Sequence, residues 1–348
     1  MKESRQPWLY SARADLVFLI APAFVVTLIV LLMPRSMAET KTPPWMWLAL
    51  VVGIDVAHVY STLYRTYLDG EARAKYRSLL ILIPIACWVV GVLLYNVGSW
   101  AFWRAMAYLA VFHFVRQQYG FLRLYARREK RTLWHRRVDA AAIYLATIYP
   151  LVYWHTHPRE FHWFVTGDFA IAPYPWLSTL VCAVYVVVLG IYVGKEVRAG
   201  DFVNWPKQLI LAGTALSWYV GIVLCNGDLA FTVTNIVAHG IPYMALVWMY
   251  QRKQAERAGR VSGGWFRPAM IPAYVGFLLL LSYVEEGFWD VLVWRDHTQY
   301  FAWMAGIPQL EDVSFMALAV PLLAVPQAAH YVLDGFLWKV RDSTERVV

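Results

Sequence analysis

The chain has 348 residues, 60 % of them apolar and only 16 % charged, well away from the roughly half-and-quarter balance of a water-soluble domain. Aromatic residues reach 16 %, including 18 Trp and 22 Tyr, as suits a protein that needs amphipathic rings at two membrane–water boundaries. Disorder, collagen and disulfide-stapled mini-domains are excluded, and the net charge of +8 follows membrane topology and anionic headgroups rather than nucleic acid.

A hydrocarbon core about 30 Å thick takes roughly 20 helical residues to cross. Apolar runs of that length predict an all-α, polytopic integral membrane protein in which residues 1–348 form a single domain of ten transmembrane helices. The first, 14–33, is too long for the apolar core of a secretory signal, although Ser36-Met37-Ala38 loosely fits a cleavage site. Span 2 covers 45–64 and carries Asp55 and His58; span 3 covers 79–98. Span 4, 101–122, carries Arg104, His113, Arg116 and Gln117. Span 5, 138–155, leads into an aromatic segment near 156–174, where His155, His157 and His162 form a candidate metal cluster or a set of interfacial rings. Spans 6 and 7, 175–194 and 208–225, are apolar; span 8, 229–250, carries Asn235 and His239. Span 9, 269–287, ends on Glu285 and Glu286, which read as a step of an ion path or as solvated interfacial groups. A second aromatic segment, near 288–312, precedes span 10 over 313–338, which carries Gln327, His330 and Asp334. Cys87, Cys182 and Cys225 all fall inside spans, as small core residues do.

Basic residues in short loops stay cytoplasmic. Of the 31 Lys and Arg, 25 lie at the termini or in the loops after spans 2, 4, 6 and 8, against four in the opposite loops. Both termini are therefore expected in the cytoplasm, with the protein in a plasma or bacterial inner membrane.

Within hydrocarbon an ionisable side chain costs several kcal/mol unless it finds partners, which makes each one a functional candidate. His58, His113, His239 and His330 lie on spans that run in one direction, and they precede the first basic residue at the end of the span (Arg65, Arg123, Arg252 and Lys339) by 7, 10, 13 and 9 positions. That spread is roughly 9 Å of depth at about 1.5 Å per residue, within reach of modest helix tilts. Each histidine has a polar neighbour three or four positions away and so on its own helix face: Asp55, Gln117, Asn235 and Asp334.

Imidazole is the commonest metal ligand, and a ligating ring usually donates its other N–H to a carboxylate or amide. The four histidines are accordingly predicted to hold a metal, with Asp55 and Asp334 ligating or orienting and Gln117 and Asn235 supporting the ligands. Arg116 needs a carboxylate, for which Asp55, Asp334 or an anionic headgroup are the candidates. Iron, mononuclear or dinuclear, is the first choice; zinc, manganese and haem stay open. Membrane desaturases and alkane hydroxylases use compact HxxxH and HxxHH boxes, absent here. Bacterial carotene-cleaving membrane oxygenases place isolated histidines on several spans, and the chain resembles them in that general plan alone. Di-haem cytochrome b proteins pair histidines 13 or 14 apart in one helix, and no span does so. The expected function is a non-haem iron oxidoreductase or oxygenase acting on a lipophilic small molecule in the bilayer, with an electron donor as a further partner. The alternatives are a proton- or ion-coupled transporter, a haem b electron carrier, or histidines acting only as interhelical hydrogen-bonding residues. A five-plus-five inverted repeat would map spans 2 and 4 onto 7 and 9, whereas the histidines of the second half sit on 8 and 10.

Overall fold

The computed structural model describes residues 6–129, 132–199, 203–259 and 265–338. Among these residues every regular element is helical and no strand forms. Apolar segments of this length satisfy their backbone N–H and C=O groups internally, and an α-helix does so without a partner.

Each of the ten predicted segments falls on helix: α1 (Ala12–Leu32), α2 (Pro44–Arg65), α3 (Arg77–Val97), α4 (Ser99–Tyr125), α5 (Leu133–Thr156), α6 (Pro175–Arg198), α7 (Trp205–Leu224), α8 (Asp228–Arg257), α9 (Pro268–Trp294), and the pair α10 (Val313–Leu323) and α11 (Val325–Leu337). Among the described residues, seven of these (α1, α2, α3, α6, α7, α8 and α9) are long and apolar enough to cross a membrane, a multi-pass architecture. Taken together, α10 and α11 would make an eighth crossing. Helices α4 and α5 have the length but fall short in apolarity, with Arg104, Arg116 and Gln117 inside one and Asp139, several tyrosines and His155 inside the other.

Span 10 was expected to be continuous and is instead bent by 41° at Ala324. Pro321 removes a backbone donor inside α10, and Pro326 disfavours helical backbone at the residue before it. The result is a fresh helix start just ahead of His330. Wider π-type turns occur in α1, α2, α7 and α9, the one in α2 covering Leu48–Val56 immediately before His58. Such turns rotate the following residues relative to a regular helix and often lie at functional sites.

Burial sorts the helices. The most apolar stretch of α6 is only 11 % buried, as for a helix whose side chains face lipid, whereas that of α8 is 72 % buried and can therefore carry Asn235 and His239.

The chain gathers into two compact units. The first comprises Met1–Thr42, Val111–Pro242 and Trp338–Val348. In it α7 packs on α1 and α5, and α5 packs on α6. A Cβ at Gly221 would collide with Thr234 Oγ1 and lie 3.5 Å from Asn235 Nδ2, so glycine there lets α7 approach the face of α8 that carries Asn235. The second unit comprises Pro43–Ala110 and Tyr243–Leu337; in it α9 and α11 pack on α2, and α10 and α11 pack on α3.

Candidate metal centre

In the second unit, α2 and α11 bring His58 and His330 together with ring centroids 5.0 Å apart and planes at 78°. Both side chains are fully enclosed, at 0 % and 2 % exposure. Asp55 Oδ1 lies 3.6 Å from His58 Nδ1, beside the ring but outside hydrogen-bond distance. Asp334 Oδ1 is 4.0 Å from His330 Nδ1, so the carboxylate expected to orient this ring does not touch it. Thr62 does: its hydroxyl lies 2.7 Å from His330 Nδ1 and 3.0 Å from the hydroxyl of Tyr243, which donates to Asp334 Oδ1 at 2.6 Å. Thr62 follows His58 by four positions and Tyr243 follows His239 by four. Helical spacing thus marked both positions, but neither residue type announces itself as a partner of histidine.

In the first unit, His113 on α4 and His239 on α8 repeat the arrangement, with centroids 5.0 Å apart and planes at 80°. Phe114 stacks on His239 at 3.5 Å and 7° and covers one face of that ring. Pro242 lacks the N–H that would continue the α8 ladder beside His239, and Gln117 Nε2 donates to the His239 carbonyl at 3.0 Å. The predicted neighbours are therefore in place, but Gln117 holds backbone rather than ring. Asn235 Nδ2 donates to the Phe231 carbonyl at 3.0 Å within α8. Gln117 Oε1 and Asn235 Oδ1 are buried and accept no hydrogen bond among the described residues. Arg116 departs from expectation: it is exposed, lies over the Tyr119 ring and donates from Nη1 to the Tyr144 hydroxyl at 2.6 Å, and none of the carboxylates expected for it pairs with it among the described residues. A tyrosine pair offers a face for the guanidinium and an acceptor oxygen, which removes the need for a counter-ion.

Each of the four histidines offers one ring nitrogen, and these four atoms lie within 4.8 Å of one another, all from buried residues. Imidazole nitrogens about 2.1 Å from a shared ion would be about 3.4 Å apart in a tetrahedron. The buried four-histidine group could hold a metal ion. Neither Asp55 nor Asp334 is part of the group, nor are the cysteines or His155, His157 and His162. In that last segment His155 Nδ1 bonds the Leu151 carbonyl at 2.6 Å, His157 stacks on Tyr153 at 4.1 Å, and His162 is exposed.

Two further polar groups differ from their sequence reading. Glu285 is 6 % exposed and accepts from Trp289 Nε1 at 3.4 Å, which overturns its reading as a water-solvated interfacial residue. Lys195 and Lys207, which count in the sequence only as cytoplasmic charges, are buried in a network: Lys195 pairs with Asp139 and Glu196, while Lys207 reaches Glu129 at 2.9 Å and Glu196 at 3.0 Å. Outside the spans, the Arg35 guanidinium hydrogen-bonds Glu39 and holds its carboxyl below the ordinary carboxylate range, and burial beneath Trp47 pushes the His297 imidazole down.

No protein-family model, curated protein or solved structure matches the chain.

Proposed function

We propose that the protein is a membrane-embedded metalloenzyme in which His58, His113, His239 and His330 hold a metal ion, iron by preference, for redox or oxygenation chemistry on a lipophilic substrate. The observation that carries this reading is four buried imidazole nitrogens within 4.8 Å of one another. An all-imidazole set suits iron, zinc or copper better than manganese, which favours carboxylate oxygen. Four nitrogens converging on one point suit a compact ion that all four can ligate, whereas haem would take only two of them as axial ligands. Iron is preferred to zinc because an enclosed histidine site among lipid-facing helices is best suited to redox chemistry on apolar molecules.

When bound, iron supplies one-electron chemistry and Lewis acidity toward oxygen or substrate. The chain's own residues bind, orient and enclose. The four imidazoles ligate; Phe114 shields one face of His239 from water; Gln117 fixes the turn of α8 that presents His239. Asp334 acts on His330 through Tyr243 and Thr62. The amide oxygens of Gln117 and Asn235 supply acceptors in an otherwise apolar surrounding, suited to a substrate hydroxyl. The electron donor is a separate partner on this reading, and the bias of basic residues toward alternate loops supports cytoplasmic termini.

Elemental analysis of detergent-purified protein with a visible spectrum tests this directly. The expected result is a stoichiometric transition metal without a Soret band, lost in His58→Ala and His239→Ala. A sharp Soret band, or full metal content in both variants, overturns it. Metal-free protein that drives proton-dependent uptake into vesicles would replace the enzyme by a transporter.

A further inference from the structure

Thr62, Tyr243 and Asp334 form a hydrogen-bonded chain whose direction is determined at one end. The Tyr243 hydroxyl donates to Asp334 Oδ1 at 2.6 Å, which uses its single proton. Toward Thr62, 3.0 Å away, Tyr243 can then only accept, so the Thr62 proton points to Tyr243. The Thr62 oxygen accordingly faces His330 Nδ1, at 2.7 Å, as an acceptor, and Nδ1 carries the hydrogen. A neutral imidazole with hydrogen on Nδ1 keeps its lone pair on Nε2.

From this geometry we infer that Thr62 and Tyr243 are positioning residues that lock His330 in the Nδ1–H tautomer, leaving Nε2 as its metal-binding atom, with Asp334 as the anchor of the chain. The inference rests on the metal-centre reading for its purpose, but not for its geometry. Thr62, Tyr243 and His330 are each at most 5 % exposed, so water does not compete for these hydrogen bonds, and reversing the chain would require every link to turn at once. A carboxylate two hydroxyls away thereby reaches a ligand it does not touch, extending the common arrangement in which a carboxylate orients a ligating histidine directly.

The most telling variant is Tyr243→Phe, which leaves the Thr62–His330 contact in place but frees the Thr62 proton. Thr62 can then donate to Nδ1, and hydrogen moves to Nε2. Nitrogen-15 spectra of histidine-labelled, metal-free protein in bilayers, with His330 assigned by comparison with His330→Gln, read the tautomer without any metal. Wild type and Thr62→Ser are expected to show hydrogen on Nδ1; Tyr243→Phe and Thr62→Val should shift His330 partly or wholly to the Nε2–H form while the His113 resonances stay put. Iron affinity, titrated on the same samples, should fall about 10–100-fold in Tyr243→Phe and recover in Thr62→Ser relative to Thr62→Val. Hydrogen on Nε2 in metal-free wild type, or an unchanged tautomer in both Tyr243→Phe and Thr62→Val, overturns the inference. A tautomer that responds as expected in a protein that binds no metal would sustain the relay and remove the metal-centre reading instead.

Discussion

The two histidine pairs are nearly superimposable in their ring geometry, 5.0 Å and about 80° in each unit, yet they are held by different means. The pair His58 and His330 stands among groups that carry or relay charge: Asp55, and Asp334 through Tyr243 and Thr62. The pair His113 and His239 is held by a stacked phenyl ring, a glutamine on backbone and an asparagine on its own helix. The first unit spends its ionic groups elsewhere, in the enclosed Lys195–Lys207 network. The same ring arrangement thus occurs beside a hydroxyl relay to a carboxylate in one unit and beside a stacked phenyl ring in the other. On the metal-centre reading the two pairs are unequal donors, His330 being the more basic for its link to a carboxylate.

The largest expected effect ignores this difference. Replacing any one of the four histidines with Ala should leave less than about a tenth of the wild-type metal in purified protein, since losing a ligand costs more than the 10–100-fold of an orienting change. Retention by the two variants of one unit and loss by those of the other would show that a single pair suffices.

Next comes the separation of charge from site. Lys207→Met removes a buried lysine from Glu129 and one of the two lysines on Glu196, and should destabilise the protein by about 3–5 kcal/mol, the usual consequence of breaking a buried pair. Thermal unfolding followed by circular dichroism would register it, and metal per folded molecule should not change. Asp334→Ala should do the opposite, lowering metal affinity with a smaller shift in melting temperature.

Smaller again, Gln117→Leu and Asn235→Leu should weaken metal binding by at most about tenfold, less than Asp334→Ala, because they act on the pair held by packing. An effect as large as a histidine deletion would mean that an amide oxygen is itself a ligand or contacts one.

The smallest effect concerns pH. His297, stacked on Trp47 at 3.7 Å, has its imidazole pushed down by burial. A base with a lowered folded value binds fewer protons folded than unfolded, so stability declines as pH falls below the ordinary histidine value of about 6.5. Melting temperatures measured in chelator between pH 7.5 and 5.5 should fall less in His297→Gln than in wild type; equal slopes would remove His297 as the cause.

Much of this architecture is legible in the sequence. Runs of about 20 apolar residues must be helical in hydrocarbon, and every predicted segment falls on helix because that constraint is local. The choice of His58, His113, His239 and His330 as one group was also legible, since an imidazole in a lipid-embedded helix must face protein and loop spacing predicts one depth and direction for these four. Helical spacing names the residues on a face without naming the face opposite. That is why the partner of Arg116 proved to be Tyr144, and the partner of His330 proved to be Thr62, 268 positions away, rather than Asp334, four positions away. The same reason covers the burial of Glu285 and the joining of Lys195 and Lys207 with Glu129, Asp139 and Glu196: a charge counted along the chain reports its expected side of the membrane, and only the packed helices decide whether it meets water or another charge. The bend at Ala324 lies between these cases, since Pro321 and Pro326 announce weak points in the helix while neighbouring elements decide whether it breaks.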